Sequence, residues 1–197
     1  MEMADSSFPD LLDSSSEMTV DDVLAFLDLM DENGIDIVVD GGWGVDALLG
    51  WQSRTHRDLD IGVQHRHVPR LRQVLEDRGY SDVPREDTHT YNFVLGDSKG
   101  HLIDIHSYEF DDEGNLLVGI AYPFDSLTGT GTINGRLVRC ITPARMVEFH
   151  AVYEGDEDDY QDVLALCTKF ELPLPDYYAR WADRAITNTE TGTVTRS

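Results

Sequence analysis

Lysine is almost missing from this chain of 197 residues: Lys99 and Lys169 are the only two, and Lys and Arg together number 15 against 38 Asp and Glu. The formal net charge is −23. A surface of that sign repels a phosphate backbone, so no nucleic-acid partner is expected, while a cationic small molecule would be attracted. Salt adaptation of a whole proteome produces the same imbalance, so bulk charge does not by itself select a function. Cysteine is equally scarce. Cys140 and Cys167 stand far apart and read as buried, reduced thiols rather than a disulfide or a metal pair. No apolar run approaches the ~18 residues that span a bilayer. Met1 to Asp5 has neither the basic nor the apolar region of a signal peptide. A cytoplasmic protein with no membrane partner is therefore expected.

What is present suffices for one substantial domain, with 41% hydrophobic residues to fill a core. Residues 1–17 are acidic and Ser-rich and predict a disordered start. Thr19 and Asp22 open a helix carrying Leu24, Leu27 and Met30, with Gly34 as its stop. Ile35 to Val39 reads as a strand running into Gly41-Gly42, and Trp43 to Leu49 as a short helix ended by Gly50. Asp58 to Val63 is a second strand and Val68 to Asp77 a helix. Hairpins are predicted around residues 96–100 and at Asn134-Gly135. Thr142-Pro143 starts a helix to about Tyr153, a second begins at Glu157, and a third is expected over Asp176 to Ala185. The sum is an α/β (α+β) core over residues 18–141 around a mixed sheet, a helical portion over 142–185, and a disordered tail over 186–197.

The most informative stretch is Asp58-Leu59-Asp60-Ile61. Side chains alternate along a strand, so Asp58 and Asp60 share one face while Leu59 and Ile61 enter the core. Adjacent carboxylates repel each other unless a cation lies between them, and Mg²⁺ handling phosphates is the natural reason to keep them. Gly41-Gly42 lets backbone N–H groups approach a phosphate at a helix start. Two-metal sites for in-line displacement usually need a third carboxylate. Asp104 is the candidate, an acid between Ile103 and Ile105 that shares its face with Leu102 and His106; it can serve as general base, as metal ligand, or as a structural acid with a partner.

Asp40-Gly41-Gly42-Trp43-Gly44-Val45-Asp46, followed by Gly50, Arg54, His56, Asp58 and Asp60, resembles the signature of antibiotic nucleotidyltransferases. These are the lincosamide nucleotidyltransferases and aminoglycoside-2''-adenylyltransferases of the polymerase-β-like superfamily. Leu102 to His106, Asp111 to Gly114, and Val138 to Ile141 ahead of a helix with His150 and Tyr153 extend the resemblance over most of residues 20–170. It implies a polymerase-β-like fold and Mg²⁺-dependent transfer of a nucleoside monophosphate, AMP from ATP or the equivalent from another NTP. The acceptor would be a hydroxyl of a small molecule, of the aminoglycoside or lincosamide kind, with release of pyrophosphate.

Under that resemblance Asp58, Asp60 and Asp104 bind the metal and carry catalysis. Gly41, Gly42, Arg54 and His56 serve the nucleotide, with His56 orienting the metal-binding strand and Asp46 holding Arg54 or the loop. Trp43 reads as packing. One position departs from the pattern: Asp158 stands where a basic residue often precedes the Asp159-x-x-Asp162 acids, leaving Arg54, Arg136 or Lys169 for the triphosphate. A toxin-type enzyme modifying protein or tRNA through Arg66, His67, Arg70 and Arg72 is one alternative, and a non-catalytic nucleotide-binding protein is another. An open cleft on one small domain leaves room for completion by a second subunit in a homodimer.

Overall fold

The computed structural model describes residues 16–151 and 155–179. Helix α1 (Val20–Glu32) begins with a capping box, in which the Thr19 side chain accepts from the Asp22 N–H and Asp22 reaches back to the Thr19 N–H. It leads into β1 (Ile37–Val39), α2 (Gly41–Leu49), β2 (Asp58–Gln64), α3 (Val68–Glu76), β3 (Ser81–Val83), β4 (Asn92–Gly96), β5 (Leu102–Phe110) and β6 (Leu116–Gly119). The hairpin of β7 (Gly129–Ile133) and β8 (Arg136–Cys140) follows, then α4 (Pro143–His150) and α5 (Glu157–Phe170).

The strands form a mixed sheet in the order β3-β4-β5-β2-β1-β8-β7, with β6 added beside β5. β2 runs parallel to β5 and β1 parallel to β8, while the other pairings are antiparallel. This is the expected α/β core with C-terminal helices, and its register is fixed by the alternation read from sequence. Leu59, Ile61, Ile103 and Ile105 are fully buried, each stabilising the fold by roughly 2 kcal/mol. A one-residue slip would exchange these side chains for Asp58, Asp60 and Asp104. The helices α4 and α5 pack on α2, and Met146, Val163 and Leu166 belong to the same core cluster as the sheet.

Several local expectations change. Gly41 and Gly42 are the first two residues of α2, capped by Asp40, rather than a separate turn. β5 runs on to Phe110 and pairs with β6 through the Asp111 to Asn115 turn, and β3 adds an edge to the sheet. The helix after Thr142 ends at His150, and Thr142 caps it without a side-chain hydrogen bond. Of the last expected helix, residues 176–179 are helical. The expectations for the first 15 residues and for residues 180–197 lie outside the described residues. Cys140 and Cys167 are free and buried, as expected.

Candidate active site

Parallel pairing of β2 with β5 sets Asp60 directly beside Asp104 and Gly62 beside His106. The three predicted acids thus meet on one face of two adjacent strands. Among the described residues, Asp60, Asp104 and His106 offer ligand atoms that all lie within 4.8 Å of one another. A cavity of about 300 Å³ opens over them, lined by Asp40, Gly41, Gly42, Arg54, His56, Asp58, Asp60, His106 and the α4–α5 residues Phe149, His150 and Asp159. A second cavity of about 320 Å³ near Trp51 and Asn134 contains one carboxylate, Asp46, already engaged elsewhere. Convergent charge, not volume, distinguishes the site.

The glycines form its floor. Gly41 has φ of 53°, in the left-handed region, and a Cβ there would fall on the Asp60 carboxylate. A Cβ on Gly42 would collide with His56 Nδ1 and the Arg54 guanidinium. Only glycine lets the start of α2 lie against the acids, and its N-terminal backbone dipoles favour an anion there. Asp40 braces this turn: its Oδ1 accepts from the Gly41 N–H at 2.8 Å and its Oδ2 from the Tyr122 hydroxyl at 2.6 Å.

Crowding puts the acids under electrostatic stress despite Arg85 and His106 beside them. Burial, with Asp58 and Asp104 alongside, pushes the Asp60 carboxyl well above its ordinary range. Burial and Asp104 raise Asp58 as well, against the opposing pull of Arg85. His106 faces the reverse balance. Burial disfavours its charge, but Asp104, Asp60 and Asp40 prevail and raise it to about 9. Its Nε2 lies 3.3 Å from Asp104 Oδ1, close enough for an ion pair but not aligned as a hydrogen bond, so that buried oxygen has no hydrogen-bond donor. A buried acceptor without a donor, beside two carboxylates held partly against ionisation, suits a hard, oxygen-binding divalent cation.

The loop from residue 50 to 57 presents Arg54 and His56. Asp46 holds His56 rather than Arg54: its Oδ2 lies 2.5 Å from His56 Nε2, and its Oδ1 accepts from the Ser53 N–H at 2.8 Å. His56 therefore fastens the loop to α2 and turns Nδ1 toward Gly42. Arg54 donates to buried Asp162 of α5 at 2.8 Å, with Asp158 at 3.9 Å. Asp159 completes the capping box of α5 with Asp156, the ordinary helix-start role. Trp43 is buried packing beside His56.

Two of the basic residues considered for the triphosphate lie elsewhere. Arg136 pairs with Asp28 and Asp31 of α1, and Lys169 donates to the Leu49 carbonyl. The candidate basic patch is also committed: Arg66 to Glu109, Arg70 to Asn33, and Arg72 to Asp82 and the face of Phe93. Site residues given no role from sequence are Asp40 and His106, named only within motifs, and Tyr122 and Arg85, not named at all. Period-two spacing from Asp104 pointed to His106. Arg85 carried no signal, because its reach to Asp104 and Asp58 comes from the β3–β4 connection.

A family model described as aminoglycoside-2''-adenylyltransferase matches residues 22–166. A lincosamide resistance protein from Staphylococcus haemolyticus is 30% identical over 156 residues, which cover 76% of this chain and 94% of that protein. A 2''-aminoglycoside nucleotidyltransferase from Escherichia coli is 29% identical over 112 residues, 56% of this chain and 60% of its own. The crystal structure of the lincosamide antibiotic adenylyltransferase LnuA with lincomycin bound superposes with a TM-score of 0.67 at 28% identity, covering 77% of this chain and 98% of that one. ANT(2'')-Ia in complex with adenylyl-2''-tobramycin shares the fold, with a TM-score of 0.65 at 22% identity over 84% of this chain and 98% of its own.

Proposed function

The chain belongs to the aminoglycoside-2''-adenylyltransferase family and is a nucleotidyltransferase, and from that premise we propose that it transfers AMP from ATP to a hydroxyl of a lincosamide or aminoglycoside antibiotic. The observation that carries the reading is Asp60 in register with Asp104, beneath a glycine floor that leaves no space for a Cβ. Asp58, Asp60 and Asp104 would hold magnesium, with His106 against Asp104, and the bound ion would supply positive charge for the phosphate oxygens.

The chain's own groups do the rest. Gly41 and Gly42 let the triphosphate approach the start of α2 closely, the Gly41 N–H staying with Asp40 Oδ1 and the Gly42 N–H left for phosphate, while Arg54 and His56 Nδ1 face it from the adjoining loop. The acceptor oxygen attacks the α-phosphorus, a new P–O bond forms, the bond to the leaving oxygen breaks, and pyrophosphate departs. Asp104 takes the hydroxyl proton. Asp58 and Asp159 add acidic groups to a lining that also holds Arg54, and the chain's net charge of −23 favours a cationic acceptor. The engaged arginines of residues 66–72 support a small molecule over RNA.

The test is mass spectrometry of reactions containing the protein, magnesium, a single NTP in turn, and a panel of lincosamides and aminoglycosides. A product heavier by one nucleoside monophosphate, formed together with pyrophosphate, is expected. Label transferred only to protein or RNA, or no transfer from any NTP, would overturn the proposal.

A further inference from the structure

Arg85 stands in the connection between β3 and β4 and extends into the acid cluster. Its Nη1 donates to Asp104 Oδ2 at 2.7 Å, and its Nη2 lies 3.7 Å from Asp58 Oδ2. One guanidinium thus spans carboxylates from two adjacent parallel strands, β2 and β5. Asp58 and Asp104 are two of the three groups that the proposed metal site requires. Asp60 lies outside this fork, between Asp58 and Asp104 with His106 as its cationic neighbour.

The geometry points to Arg85 as an internal cation that competes with divalent metal for Asp104 and Asp58, and so sets the metal affinity of the site. This rests on the metal reading given above. A guanidinium is a planar fork matched to carboxylate oxygens, so it can satisfy charge that would otherwise repel. It cannot lose its proton to make way, so a metal taking the same oxygens must displace the whole side chain. The hold it must break is moderate. Both the Arg85 side chain (28% exposed) and Asp58 (33% exposed) reach solvent, while Asp104 is more enclosed. Among the described residues, the guanidinium's recorded partners are these two carboxylates. Its backbone is secured separately, by a turn in which the Arg85 N–H donates to Thr88 Oγ1 and the Thr88 N–H to the Arg85 carbonyl. The side chain can therefore leave without unravelling the segment that carries it.

The contrast with Arg54 supports exchange. Arg54 pairs with Asp162, which lies outside the predicted metal set and is buried. Arg85 instead occupies oxygens with a second claimant.

The experiment combines two measurements on the full-length protein with Mn²⁺ or Mg²⁺ alone. Calorimetry compares wild type, Arg85→Gln and Asp60→Asn. Phenylglyoxal labelling, mapped by peptide mass spectrometry, follows reactivity of the Arg85 guanidinium in wild type with and without metal. Displacement is expected to raise Arg85 labelling several-fold at saturating metal, and Arg85→Gln to tighten metal binding about tenfold. Tighter binding without increased labelling would overturn the inference, since a fixed positive brace repels metal but stays in place. Increased labelling with unchanged affinity would overturn it too. If Arg85→Gln does not fold, the wild-type labelling decides alone. Loss of metal binding in Asp60→Asn with no Arg85 response in either measurement rejects this inference and leaves the metal site standing. No metal binding by wild type rejects both.

Discussion

The two segments that wall the acid cluster are built differently. On one side, the loop from residue 50 to 57 is fastened by long-range polar contacts: His56 to Asp46 of α2, Arg54 to Asp162 of α5, and Ser53 to Asp46. On the other side, the β3–β4 connection reaches the acids through the fork of Arg85. Partners with no other claimant form a permanent wall, and partners that a ligand also needs form an exchangeable one. A catalytic cavity benefits from both, since triphosphate placement demands rigidity while cation entry demands a replaceable counter-charge.

The sharpest way to probe that comparison is at the acids both sides surround. Asp60→Asn should lower the transfer rate by about 10³-fold or more while raising the melting temperature of the metal-free protein. The amide keeps the volume of a carboxylate that burial and two acidic neighbours disfavour. Steady-state assay and thermal denaturation of the same preparation check both signs. A fall in activity accompanied by a fall in stability would point to a merely structural acid.

Next in size is a break in the fastened wall. Arg54→Ala leaves Asp162 buried without its guanidinium, which should cost about 2–3 kcal/mol after allowance for the partial exposure of Arg54. Denaturant unfolding measures it. Arg85→Ala, by contrast, should change metal-free stability by less than half as much, because Asp58 reaches solvent and Asp104 keeps His106 beside it. Equal costs would erase the distinction between the two walls.

The pH dependence should sharpen it further. Burial and like charge raise Asp60 and Asp58 in the folded state, above the ordinary aspartate value near ~3.9 of the unfolded chain. Between the unfolded and the raised folded values the folded protein holds more protons, so this contribution to metal-free stability falls as pH rises through that window. Protons and metal compete for the same oxygens. The increase in melting temperature on adding Mg²⁺ should therefore be larger at about pH 8 than at about pH 5. A metal effect independent of pH would count against those carboxylates as the ligands.

The smallest expected effect lies away from both walls. Burial pushes the Cys140 thiol up to about 12, so iodoacetamide at neutral pH should leave it unmodified in the folded protein and react after denaturation. Peptide mapping checks this, and rapid native modification would show that β8 opens.

What was legible in sequence follows the range of the contacts. The period-two pattern exposes Asp58, Asp60 and Asp104 on one face because alternation is local, and Leu59, Ile61, Ile103 and Ile105 are buried accordingly. The helix start at Thr19 was readable for the same reason, as its side-chain cap lies within three residues of the group it satisfies, whereas the cap at Asp40 was hidden by the glycine pair, which read as a turn. The three residues of β3 are too few to show alternation, and β6 presents adjacent exposed leucines, Leu116 and Leu117, which blur it. The partners of Arg54 and Arg85 depend on chain separations of 108 and 19 residues. No periodicity encodes such pairings. Arg136 and Lys169 misled for the opposite reason: a free cation in sequence is committed in three dimensions to Asp28 and Asp31, or to the carbonyl of Leu49.

The most direct measurement of nucleotidyl transfer at this acid cluster is a single-turnover reaction with ATP radiolabelled on its α-phosphate. It uses magnesium with lincomycin or tobramycin as acceptor, comparing wild type with Asp60→Asn. Label should move to the antibiotic with wild type and remain in ATP with the variant. Equal transfer by both proteins would contradict the account.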